Sequence, residues 1–96
     1  MNLRIKAIFY LEGNHCITEA VTYAPKDETV TEDAFRVEVE DIVIDMKNAL
    51  DDGVYSHSTK NFHFGDTAIR VSTLNAYQIF IEDVEAEGLN APIAID

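Results

Sequence analysis

A single cysteine, Cys16, excludes an internal disulfide framework and leaves no zinc ribbon to build. A lone thiol suits a reducing compartment, so a cytoplasmic location is expected. Glycine is scattered: Gly13, Gly53, Gly65 and Gly88 lie too far apart for a phosphate-cradling loop or a dinucleotide fingerprint. Apolar runs last only a few residues, so no membrane span is expected. Residues 1–6 start with charge but continue in alternation, as a strand does and a signal peptide does not. Basic residues are the real shortage. Seven Lys and Arg stand against 18 Asp and Glu, a net charge of −11.

That charge is unevenly spread. Residues 1–24 cancel, with Arg4 and Lys6 against Glu12 and Glu19. Residues 25–60 hold ten acids and four bases, net −6, and residues 61–96 hold six acids against Arg70, net −5. Such a field repels phosphate backbones and disfavours direct nucleic-acid binding, while it attracts basic protein surfaces. The plain alternative is that the acidity only keeps the protein in solution.

What is present is enough for a core. With 47% hydrophobic residues, four Tyr and five Phe, a 96-residue chain can offset its lost chain entropy in one domain, residues 1–96. Leu3, Ile5, Ala7, Phe9 and Leu11 alternate with Arg4, Lys6, Ile8 and Tyr10, a strand pattern. Gly13-Asn14 reads as a two-residue hairpin turn, after which residues 16–23 form a second strand. This register sets Leu11 opposite Cys16, Tyr10 opposite Ile17 and Lys6 opposite Val21. Pro25 breaks the strand, and Thr29 with Glu32 reads as a capping box. Phe35, Val39, Ile42, Met46 and Leu50 then mark one helical face, flanked by Val43 and Ala49, with Gly53 as the C-terminal cap. Residues 54–61 read as a polar loop. Phe62-His63-Phe64 and residues 67–72 form a second hairpin around Gly65-Asp66. Asn75 marks a turn before a last strand, residues 77–84, whose apolar centre suggests a central place in the sheet. The fold class is α+β: a single domain in ββαβββ order, an antiparallel-rich sheet with one helix on one face, and a tail at residues 89–96.

Chemistry-bearing residues form no recognised constellation. His15, Cys16, His57, His63 and Asp66 are metal-ligand types, but their spacing fits no zinc signature. Cys16 as a nucleophile needs a positive field that this chain lacks, so a buried or half-buried structural thiol is expected. Acid pairs such as Glu82-Asp83 and Asp51-Asp52 are sequence neighbours, which do not face each other. Base stacking on the sheet lacks the basic, glycine-rich strand motif of the common RNA-binding sheet. No catalytic residue, metal or cofactor is therefore expected.

Two readings remain. In the first, the chain is a small, acidic, non-catalytic binding protein that works through protein–protein contact, for instance as an inhibitor seated on the nucleic-acid-binding surface of a basic partner. In the second, it is a small-molecule-binding or enzymatic domain with its site at a homodimer interface. For the first, Glu38, Glu40, Asp41 and Asp45 are the candidate contacts, lying away from the buried helical stripe, with Asp51 and Asp52 at its end. Val37 and Ile44 sit about 180° from that stripe and are candidates for cover by Leu89, Ile93 or Ile95 of the tail. Ile8, Tyr10, Ile17, Val21 and Tyr23, joined by Phe80, are expected to form an apolar sheet face that mates with a second copy.

Overall fold

A computed structural model of the protein describes residues 1–55, 60–84 and 93–95. Strands β1 (Asn2–Leu11) and β2 (His15–Pro25) form a hairpin, followed by helix α1 (Glu32–Tyr55). Next come the short hairpin β3 (Asn61–Phe64) and β4 (Thr67–Arg70), the long strand β5 (Leu74–Val84), and a three-residue strand β6 (Ile93–Ile95). The α+β class and the ββαβββ order hold, with β6 added from the tail. β5, β1, β2 and β6 form one sheet in that order, antiparallel except for the β2–β6 pair, and β3 and β4 form a ribbon of their own.

The sheet is covered on one face. Leu3, Ile5, Ala7 and Phe9 of β1 are fully buried, as are Phe35, Val39 and Leu50 of α1. α1 lies over β5 and β1. The β3–β4 ribbon lies over β1 and β2 on the same side, where Phe62 meets Phe9 edge to face at 6.0 Å and Thr67 Oγ1 donates to Glu19 Oε2 at 2.5 Å.

The first hairpin departs from expectation by one residue, with large effect. Its loop is three residues, Glu12–Asn14, with positive φ at both Gly13 (77°) and Asn14 (61°). The pairing is therefore Leu11 with His15, Tyr10 with Cys16, Phe9 with Ile17 and Ile5 with Val21. A one-residue change of register moves every side chain of a strand to the other face. Ile17, Val21 and Tyr23 thus join the covered face and pack against the core, while Cys16 is exposed rather than buried.

Three further corrections concern ends and edges. The helix is capped by Thr31, whose Oγ1 accepts from the Ala34 amide at 3.1 Å. Thr29 is taken up by Asp27 in a local turn instead, its amide donating to Asp27 Oδ1 at 2.8 Å. Gly53 lies inside α1, not beyond it; a Cβ there would meet Val71 Cγ1 at 2.7 Å, so close packing, not a cap, explains the residue. β5 is an edge strand, beginning at Leu74 after a 3-10 turn at Val71–Thr73. Its two apolar faces need no second neighbouring strand: α1 covers Ile79 and Ile81, and Lys6 Nζ stands 5.9 Å above the Phe80 ring on the back.

Candidate functional site

On the open back of the sheet, the register breaks up the expected apolar face. Ile8 and Tyr10 remain there, with Phe80 beside Lys6, but Ile17, Val21 and Tyr23 are on the opposite face. Their places are taken by Cys16, Thr18, Ala20 and Thr22. Arg4 Nε donates to Thr22 Oγ1 at 3.3 Å and its guanidinium lies 3.9 Å from Glu82. Tyr10 donates to Gln78 Oε1 at 3.5 Å. This is the mixed, hydrogen-bonded surface of a solvated sheet face.

Among the described residues, no group of three or more His, Cys, Asp or Glu side chains is placed to hold a metal ion. His57 lies outside the described residues. No described helix is long and apolar enough to cross a membrane. Open grooves of about 490, 470 and 300 Å³ border α1, and all have acids on their walls: Asp27, Glu28 and Glu32 in the first, Asp51 in the second, Glu40 in the third.

The charge on α1 is sorted into two flanks. At about 100° per residue, Arg36, Glu40, Ile44, Lys47 and Asp51 project to one side of the buried stripe. Contacts confirm that this side faces β5. Arg36 lies 3.0 Å from Asp83 and 4.0 Å from Glu32, and Tyr77 donates to Asp51 Oδ1 at 2.6 Å. Glu40, Ile44 and Lys47 line a groove with Ile79, Phe80 and Ile81. Burial and the neighbouring Asp51 carboxylate push the Tyr77 hydroxyl up to about 12.

The other flank carries Glu38, Asp41, Asp45 and Asp52, a ridge of acids at helical spacing that contains no base. Asp41 and Asp45 are exposed. Glu38 is half-buried, and its Oε2 is enclosed without a hydrogen-bond partner among the described residues. An enclosed carboxylate oxygen without a donor is costly to the fold. Of the four helical acids singled out by sequence, the fold brings Glu38, Asp41 and Asp45 together and turns Glu40 to the β5 side. Of the two acids expected at the end of this face, Asp52 joins the ridge by its spacing, whereas Asp51 is turned to β5 and accepts from Tyr77. Neither a family model, nor a curated protein, nor a solved structure matches this chain.

Proposed function

We propose that this is a non-catalytic binding protein that docks through the acidic flank of α1 onto a basic surface of another protein. The observation that carries the reading is the segregation of charge on the helix. Both bases of α1, Arg36 and Lys47, stand on the β5 side, so nothing on the helix offsets Glu38, Asp41 and Asp45. A surface kept for solubility needs no such sorting, since interspersed charges serve that purpose as well. A sorted acidic ridge gives directional attraction to a basic face and fast, salt-sensitive association. Surfaces that ordinarily hold nucleic acid have the required charge, so occlusion of such a surface is the mode of action that fits best.

The test is affinity capture from the native host, in parallel with the wild type and an Asp41→Lys, Asp45→Lys variant, at low and high salt. A basic protein retained by the wild type at low salt, and lost both at high salt and with the variant, is the expected result. Retention that ignores salt and both substitutions would refute the reading.

A further inference from the structure

We infer that the free edge of β5, together with the adjoining flank of α1, is a docking surface for a second copy of this chain. β5 is eleven residues long and pairs on one side only, with β1. No described strand pairs with its outer edge. Long edges offer a row of unpaired backbone donors and acceptors, and proteins normally blunt them with proline, bulges or inward charges. The middle of β5, Tyr77-Gln78-Ile79-Phe80-Ile81, has none of these. Beside it, Ile44 is 53% exposed and lines a groove with Ile79, Phe80 and Ile81.

Charge selects a second copy as the occupant. A two-fold axis perpendicular to the sheet, at Ile79 or Phe80, pairs β5 antiparallel with its mate. Glu82 and Asp83 then lie opposite residues 75–78 of the other copy, all uncharged, so the acidic end never meets itself. The same axis keeps both helices on one side of the joined sheet and runs them antiparallel, with Ile44 near the axis. Glu40 precedes Ile44 by four residues and Lys47 follows it by three, so each Glu40 comes beside the partner copy's Lys47. The flank over β5 is thus self-complementary, which the acidic flank carrying the proposed function is not. The two surfaces are separate, so each can fail without the other.

Sedimentation of the full chain over a wide concentration range tests this, with circular dichroism to confirm that each variant is folded. The wild type is expected to dimerise reversibly. Ile44→Asp and Phe80→Lys, both at exposed positions, are expected to leave monomers. Glu40→Lys or Lys47→Glu alone is expected to weaken the dimer about tenfold, since each places two like-charge pairs across the axis. The double reversal should restore it. Amides of β5 should also gain protection from hydrogen exchange as concentration rises. A wild type that stays monomeric at its solubility limit overturns the inference. So does a dimer indifferent to Ile44→Asp, or one that the double reversal fails to restore.

Discussion

Replacing Gly53 with alanine sets two opposed effects against each other within α1. Glycine in a helix interior is about 1 kcal/mol less favourable than alanine, so helix propensity alone favours the change. The new Cβ, however, would lie 2.7 Å from Cγ1 of Val71, and Val71 is 5% exposed in a 3-10 turn packed against the helix. Overpacking of a filled site costs roughly 1–3 kcal/mol, which outweighs the propensity gain. A net loss of about 1 kcal/mol is expected, lowering Tm by roughly 4–8 °C for a domain of this size. The decisive comparison is the same substitution in a Val71→Ala background. There the methyls at 2.7 and 3.5 Å are gone and the remaining Cβ contact, 3.4 Å, is ordinary. Gly53→Ala should then stabilise by about 1 kcal/mol, a reversal of sign. Urea denaturation of the four proteins, followed by circular dichroism, measures the cycle. If Gly53→Ala has the same effect in both backgrounds, or stabilises the otherwise wild-type chain, contact with Val71 is not why glycine stands there.

Other outcomes test the local structure. Because the Tyr77 hydroxyl titrates near 12 in the fold and near 10.0 when free, its contribution to stability is complete below about pH 10 and is lost as pH rises through 12. Tyr77→Phe should abolish that alkaline loss, as measured by denaturation of both proteins across the range. Thr31→Ala should destabilise by about 1 kcal/mol through loss of the helix cap, whereas Thr29→Ala should leave α1 intact, and thermal melts distinguish them. Tyr10 and Cys16 are cross-strand partners on one face, so Tyr10→Cys should form a disulfide with Cys16 on oxidation while Leu11→Cys should not. The opposite pattern, read by mass spectrometry, would restore the two-residue turn.

Fold class, element order and the buried stripe of α1 were all legible in the sequence, because period-2 and period-3.6 patterns are direct prints of which side faces the core. The register of the first hairpin was not. Gly13-Asn14 suits a two-residue turn and also the last two places of a three-residue one, and only tertiary packing separates them. The core face of β1 offers Phe9, Ile5 and Leu3, which find apolar partners in Ile17, Val21 and Tyr23 only in the longer loop. That apolar matching between the two strands is written in the residues themselves. The edge position of β5 was hidden for a different reason. The apolar side chains on its front face report cover by α1, Phe80 on the back stays exposed beneath the Lys6 ammonium, and neither face reports neighbours within the sheet plane. The division of the acidic residues between two flanks follows from about 100° per residue, but which flank faces β5 is set by where α1 crosses the sheet. The tail residues Ile93 and Ile95 lie in β6 beside β2, away from Val37 and Ile44, while Leu89 lies outside the described residues.

The order β5-β1-β2-β6 puts the earliest-made strands in the middle, and this governs how the domain can assemble. Leu11 meets His15 across a three-residue loop but meets Leu74 only after the whole helix and second hairpin have intervened. Closing the longer loop costs about 2.7 kcal/mol more chain entropy by the logarithmic scaling with length. The β1–β2 ribbon is thus the kinetically accessible nucleus, yet a two-stranded ribbon alone is barely stable in water. Arrival of β5 completes the pairing of β1 and at the same moment gives α1 its second support. Folding should therefore be a single concerted step limited by that arrival. Truncations within β5, such as Ile81→Val, should slow folding, and truncations at β6 should mainly speed unfolding. On the ribosome the nascent hairpin waits with both edges open until β5 has been synthesised, the interval in which a chaperone would be most needed.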